Sequence, residues 1–445
     1  MKNNRQSIFL RQSEVATYCR NQNIKIKHLP NGVLIILGSQ NNPESVSASL
    51  NFTFSSGAYF DPPSKAGIHH LLEHLINPPI SKLAANLHVS INAQTSYANL
   101  IELCNGPFSS KVKNYGLLPL LSHIYESLMN PSALYENLEE TLSAERHVIR
   151  TEIEEKLVDH NWLVWKKFYN LYLKKGNPIL TDVAGTIDTL NNVTKKDISR
   201  LIQEVLVSDN LVISAVNEGH EKNGEILFNK LINVFRRFRK SKNKKAQLDW
   251  NLLDLTKSFD SKSGQVHYVS TGLHNGLVSI LFSFELSVEE FSVFEFGLKN
   301  YVDYLMPRVH QFSRQYGLGY YSSVSTERLA KKGIIVIRFD VVKKSKSELE
   351  QIINFIQKNL PTIFFLSKTE ISTIVQTEKN KQIVIPLTTM ARIQWMLFGY
   401  FRYKKFINAD YVKKTYADIN DKHIEFWSKK LHREKALITV IGDVS

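Results

Sequence analysis

The chain closes on the same kind of segment twice. Asn210-Leu211-Val212-Ile213-Ser214-Ala215-Val216 and Ala436-Leu437-Ile438-Thr439-Val440-Ile441-Gly442 are apolar runs that each follow a series of strand-like and helix-like segments. A repeat of this order implies an internal duplication of one α+β unit, which confines the fold more than any single element does. In the first half, Val46, Ala48, Leu50, Phe52 and Phe54 alternate with Ser47, Ser49, Asn51 and Thr53, the period of a strand buried on one face. Gly32 to Leu37 reads as its neighbour, entered through a turn at Asn31-Gly32. In the second half, His267 to Ser270 and Val278 to Phe284 read as strands, a helix is expected from about Val288 to Met306, and strands follow near Tyr320 and over Ile334 to Val341.

At 445 residues the chain exceeds what one hydrophobic core usually serves. The polar, basic stretch Ser241 to Lys245 reads as an exposed linker, giving an expected division into residues 1–240, a linker at 241–262 and a second domain at 263–445. Helices are expected over Leu117 to Leu128 and from Leu138 to about Leu173, where apolar residues recur at helical spacing among many Glu and Lys. A further helix should begin near Ala66 or Gly67 and stop at about Ile76, because Pro78-Pro79 interrupts the backbone hydrogen bonds.

The formal net charge of +14 raises non-specific attraction to acidic partners. It specifies no function: the chain has no zinc knuckle, recognition helix or stacking-aromatic motif, so no specific nucleic-acid partner is expected. The basic run at Arg236, Arg237, Arg239, Lys240, Lys242, Lys244 and Lys245 reads as a solvated helix end or linker. Cys19 and Cys104 are too few for a disulfide framework or a thiolate metal site, which fits a reducing compartment. No apolar stretch approaches the roughly twenty residues of a membrane span, and the start Met1-Lys2-Asn3-Asn4-Arg5 leads into no apolar signal core. The expected location is cytoplasmic, with the mitochondrial matrix as the alternative because Arg5, Arg11 and Arg20 among few acids faintly resemble a transit segment.

Chemistry concentrates in Gly67-Ile68-His69-His70-Leu71-Leu72-Glu73-His74-Leu75, which contains His-x-x-Glu-His, the inverted zinc-peptidase motif. At about 100° per residue, Ile68, Leu71, Leu72 and Leu75 cluster on one side of a helix and His70, Glu73 and His74 on the other. Two imidazoles one turn apart can share a tetrahedral Zn2+, and the carboxylate of Glu73 beside them can take a proton from attacking water and return it to a leaving amine. His69 and His88 read as surface or packing residues. A catalytic zinc needs a third protein ligand, and Glu145 and Glu152, two turns apart on one helical face, are the candidates. One would ligate while the other supports an imidazole, and spacing alone does not choose between them.

These residues resemble the insulinase, pitrilysin and mitochondrial processing peptidase family of inverzincins. Ser55-Ser56-Gly57-Ala58, Gly67 and the His70 to His74 motif are similar to that family's catalytic helix and its approach. Asn92-Ala93-Gln94-Thr95-Ser96 looks like its active-site strand, Glu145-Arg146-x-Val148-Ile149-x-x-Glu152 like its second metal helix, and Asn177 to Thr186, Asp197-Ile198 and Asn210 to Val216 continue the match. The resemblance implies two homologous α/β-sandwich halves, each a mixed, mostly antiparallel sheet with helices packed on it. It implies Glu152 as third zinc ligand, Glu145 as the acid behind a ligand, and peptide added as an extra strand beside Asn92 and Ala93.

The second half lacks His-x-x-Glu-His, so catalysis is expected from the first alone. There Gly317-Leu318-Gly319-Tyr320 resembles the family's substrate-binding segment, with Tyr320 as the substrate-holding tyrosine. The family's partner arginine falls on Ser313, with Arg314 one place away as a substitute. Family members of this size usually work as dimers, so a homodimer, or a heterodimer with a related subunit that supplies the arginine, is the expected assembly. The expected function is a zinc metalloendopeptidase acting on peptides or unfolded segments. The alternative is a catalytically silent core subunit of a peptidase-like complex.

Overall fold

The computed structural model describes residues 8–42, 44–108, 115–130, 138–241, 247–257, 266–272, 276–287, 289, 291–319, 321–329, 332–384, 386–433 and 435–444. The chain forms two compact units, each gathered from three stretches: Met1–Glu154, Thr181–Asp249 and Thr388–Ala409 in one, and Glu155–Leu180, Trp250–Leu387 and Asp410–Ser445 in the other. Of the expected 241–262 linker, residues 242–246 and 258–262 lie outside the described residues.

In chain order the first half runs α1 (Gln12–Asn21), β1 (Ile24–His28), β2 (Leu34–Ser39), β3 (Ser47–Phe54), α2 (Ile68–Asn86), β4 (Ser90–Thr95), β5 (Leu100–Pro107) and α3 (Leu117–Met129). It continues through α4 (Leu138–Val158), α5 (His160–Tyr172), α6 (Ile187–Asn191), α7 (Lys195–Val205), β6 (Leu211–Asn217) and α8 (Glu221–Phe235). The second half runs β7 (Val266–Val269), β8 (Leu277–Ser287), α9 (Val293–Gln315), β9 (Tyr321–Arg328), β10 (Lys332–Val342), α10 (Lys346–Phe364), α11 (Lys368–Val384), α12 (Thr389–Tyr403), α13 (Ala409–Ala417), α14 (Asp421–Arg433) and β11 (Leu437–Gly442).

The duplication is visible in the sheets. The first unit holds strands in the order β1-β2-β6-β3-β5-β4 and the second β7-β11-β8-β10-β9. Setting β1 aside, both sheets place first, last, second, fourth and third strands of their half side by side. The first–last pair is parallel in each, β2 with β6 and β7 with β11, and the other pairings are antiparallel. The fold is therefore α+β with two sheets of matching topology, as expected.

The first sheet buries both faces. Val33, Ile35, Leu37, Leu50, Phe52 and Phe54 meet the leucines of α2 and α3 and Phe235 of α8 in one cluster. Leu34, Ile36, Val212 and Val216 turn the other way, onto Tyr18 and Cys19 of α1 and Ile393 and Met396 of α12. Leu34 to Leu37 is consequently an unbroken apolar run, as a strand buried on both faces requires.

Two helix expectations need correction. Helix α2 does not stop at Ile76 but carries Pro78 and Pro79 within it to Asn86. The prolines remove N–H groups that would have reached the carbonyls of His74 and Leu75, at a cost of about 3 kcal/mol or more for an interior proline. Continuing the helix buries Ile80 and Ala84 in line with Ile76, and Leu87 and Val89 just beyond it. At about 1.5–3 kcal/mol per large apolar side chain, that burial is of the same order as the roughly 6 kcal/mol cost of two interior prolines and offsets it. The long helix expected from Leu138 to Leu173 is instead two, because Asp159 accepts hydrogen bonds from the N–H groups of Asn161 and Trp162 at 2.7 and 3.2 Å and starts α5 afresh.

In the basic run after α8, Arg236, Arg237 and Lys240 are exposed as expected and Lys242, Lys244 and Lys245 lie outside the described residues, but Arg239 is half-buried. Arg239 sends Nε to Leu206 O at 2.6 Å, Nη1 to Met129 O at 2.6 Å and Nη2 to Leu128 O at 2.7 Å, closing carbonyls at the ends of α3 and α7.

Candidate metal centre

The helix bearing the motif enters through Gly67, whose φ of +93° is left-handed and whose position leaves no room for a side chain: a Cβ would lie 2.3 Å from Ala184 O. From that point Ile68, Leu71, Leu72 and Leu75 are buried in the core, while His70, Glu73 and His74 are held on the opposite side of α2.

Helix α4 faces them. His70 Nε2 lies 3.6 Å from Glu152 Oε2, and His74 Nε2 lies 3.5 Å from Glu152 Oε1. One donor atom from each of the three residues falls within 4.8 Å of the others, the one such group of His, Cys, Asp and Glu found among the described residues. Ligands about 2.0–2.1 Å from a tetrahedral zinc would stand roughly 3.3–3.4 Å apart, and the two separations, which run to the two oxygens of Glu152, are slightly longer than that. Two neutral imidazoles and one carboxylate also form a donor set suited to zinc while leaving a coordination position open. The His70 and His74 rings are nearly perpendicular, 88° between planes with centroids 4.7 Å apart.

Glu145 stands behind this group, its Oε2 3.1 Å from Nδ1 of His74. Burial pulls the His74 imidazole down, but the Glu145 hydrogen bond and the charges of Glu152 and Glu73 outweigh it and leave its pKa raised. Glu73 accepts a hydrogen bond from Thr95 Oγ1 at 2.5 Å. Burial pushes its carboxyl above the ordinary range, with the Thr95 bond acting the other way.

Glu102 of β5 was not singled out from sequence. It pairs in register with Phe52 and Ala93, is 1% exposed, and neither carboxyl oxygen has a hydrogen-bond partner among the described residues. Burial first, and then the charge of Glu73, raises its pKa well above the usual carboxylate value. The signal was available: Glu102 occupies the inward position between Leu100 and Cys104 on an alternating strand.

Strand β4, with Asn92 and Ala93, forms one edge of the first sheet and pairs with β5 on its inner side. Asn92 is exposed and Ala93 half-buried. Of the substrate-binding residues expected in the second half, Tyr320 lies outside the described residues. Arg314 is exposed in the last turn of α9, and that helix is regular through Gln315. Ser313 is buried, and its hydroxyl donates to Gly319 O at 3.2 Å. His69, read as a surface or packing residue, is buried.

The duplicated α+β fold is shared with solved structures of the M16 peptidase group. No protein-family model matches the chain. By sequence it is 26% identical over 222 residues to a protein of Rickettsia bellii named as an uncharacterized zinc protease, covering 47% of this chain and 51% of that one. It is 24% identical over 220 residues to the beta subunit of the mitochondrial-processing peptidase of Dictyostelium discoideum, covering 47% and 44%. The match thus spans about half the length of each curated relative. Among solved structures, a protease from Helicobacter pylori superimposes with a TM-score of 0.71 at 14% identity, over 94% of this chain and 99% of the other. A peptidase M16 inactive domain from Pseudomonas fluorescens gives 0.70 at 12% identity, over 95% and 98%. The relatives and the shared fold bear out the resemblance to the insulinase, pitrilysin and mitochondrial processing peptidase group.

Proposed function

We propose that the chain is a zinc-dependent endopeptidase, with His70, His74 and Glu152 holding the metal and Glu73 serving as general base. The observation that carries this reading is the convergence of three ligand atoms from α2 and α4 with a fourth, non-ligating carboxylate alongside. Bound there, zinc would polarise a peptide carbonyl and acidify water. Glu73 would take the proton of the attacking water and deliver it to the leaving amine, and the burial that raises its pKa makes it a better proton acceptor than an exposed carboxylate. Thr95 holds that carboxylate in place from the strand at which a substrate would sit. Glu145 would keep Nδ1 of His74 occupied, leaving Nε2 for the metal.

The open edge of β4 supports peptide binding by strand addition beside Asn92 and Ala93, where backbone hydrogen bonds supply affinity with little sequence preference. Peptides or unfolded segments are the substrate class this implies. A buried serine at position 313 supports a partner chain, itself or a related subunit, as the source of a substrate-holding arginine.

The test is metal analysis of the purified chain together with peptide cleavage, alone and with a related subunit. One zinc per chain and cleavage abolished by a chelator and restored by zinc are expected. Stoichiometric zinc with no cleavage under either condition would favour a silent core subunit; the Pseudomonas fluorescens domain is itself named inactive. Zinc retained in the His70→Ala, His74→Ala double variant would remove the metal assignment altogether.

A further inference from the structure

His69 immediately precedes His70, yet its ring belongs to a separate set of contacts. Nδ1 lies 2.5 Å from Asp61 Oδ1 and Nε2 lies 3.0 Å from Ser56 Oγ, with the histidine 1% exposed. A carboxylate oxygen only accepts, so Nδ1–H donates to Asp61, and in the neutral ring Nε2 then accepts from the Ser56 hydroxyl. Both ring nitrogens are thereby used, which removes His69 from the metal donors. Serine, histidine and aspartate in this order have the connectivity of a hydrolase triad. Ser56 is only 6% exposed, however, which leaves an acyl substrate no approach to its Oγ.

What the three residues join is more informative. The second oxygen of Asp61 accepts the N–H of Gly67 at 2.6 Å, so one carboxylate grips both the cap and the first turn of α2. Ser56 lies just beyond the end of β3. Between Ser56 and Asp61 the chain is fixed to the segment following β4, through Ala58 N–H to Ser96 O and Tyr59 N–H to Tyr97 O, both at 3.0 Å. A continuous path therefore runs from the helix carrying Glu73 to the strand end carrying Thr95, whose hydroxyl meets the Glu73 carboxylate.

We infer that Asp61, His69 and Ser56 form a clamp that sets the position of His70 and Glu73 relative to edge strand β4, with His69 as its central positioning residue. The catalytic consequence rests on the peptidase reading. The structural half does not: without the His69 contacts, the first turn of α2 keeps the cap bond of Gly67 to Asp61 but loses its side-chain links to Asp61 and Ser56.

The full chain, its His69→Ala variant and its His69→Asn variant test the clamp in two ways. Asn retains an N–H that reaches Asp61, whereas Ala retains nothing. In the metal-free protein, amide hydrogen exchange over residues 57–74 should accelerate about tenfold or more in His69→Ala, with β2 and β6 unchanged and His69→Asn close to the parent. In the zinc-loaded protein, kcat of His69→Ala should fall by up to about 100-fold with KM nearly constant, and His69→Asn should recover most of it. Parent-like exchange in His69→Ala would overturn the clamp. So would acceleration spread through the whole unit with Asn no better than Ala, because His69 would then be a packing residue. A parent chain without zinc-dependent cleavage would sink the peptidase reading instead, and the exchange comparison would still decide the clamp.

Discussion

Nδ1 of His74 lies 3.1 Å from Glu145 Oε2, while Nε2 on the other side of the same ring faces Glu152. The two glutamates of α4 thus address different atoms of one imidazole, a distinction that their shared helical face does not contain. Glu152→Gln should therefore lose most zinc affinity, whereas Glu145→Gln should weaken it by roughly 10–100-fold, the range for residues that orient a ligand. Zinc competition against a chelator of known affinity measures both, and the opposite ranking would exchange their roles.

Glu73→Gln should keep zinc at the parent level and abolish peptide hydrolysis. The glutamine carbonyl can still accept the Thr95 hydrogen bond, so shape and position are preserved while the capacity to take a proton is lost. Near-parent cleavage by this variant would remove Glu73 from the general-base role.

Glu102 gives a pH-dependent stability. Its folded-state pKa is raised by burial and by the charge of Glu73, so folding above the unfolded-state value of about 4.3 takes up a proton. The sign follows: relative to a non-titrating residue, the contribution of Glu102 is intact below about pH 4.3 and declines as pH rises toward its folded-state value. Glu102→Gln cannot titrate, so the difference in urea midpoint between variant and parent, both metal-free, should move in the variant's favour from pH 4 to pH 8. A difference that stays constant over that range would mean Glu102 is charged in the folded state.

Arg239→Ala should destabilise the first unit by about 2–4 kcal/mol, since three backbone carbonyls lose a charged donor in a partly buried setting. Chemical denaturation reads this directly. A loss under about 0.5 kcal/mol would return Arg239 to the solvated surface that its neighbours' composition implied.

Arg314→Ala should leave the isolated chain's cleavage rate and KM little changed, because Arg314 is exposed on a regular helix while Ser313 occupies the inward position. Addition of a related subunit should then raise activity in parent and variant alike. A rise in KM confined to the isolated variant would instead make Arg314 a substrate-holding residue.

The sequence by itself determined what depends on neighbours along the chain. Alternation from Val46 to Phe54 gave a strand over Ser47–Phe54, and the spacing of His70, Glu73 and His74 put all three on one side of a helix, because backbone geometry fixes both periods. The two closing runs became β6 and β11, and the order between them became matching sheets. Local rules failed where a distant surface offset them. Pro78 and Pro79 remain helical because the core receives Ile80 and Ala84, and the exchange of residues 155–180 and 388–409 between compact units leaves no local mark on the chain. The site divides the same way. Its two imidazoles are one helical turn apart and legible at once, whereas the approach of Glu152, the buried carboxyl of Glu102 and the grip of Asp61 on His69 exist only after strands and helices remote in sequence have packed, since burial and hydrogen bonding are properties of the assembled unit and not of spacing.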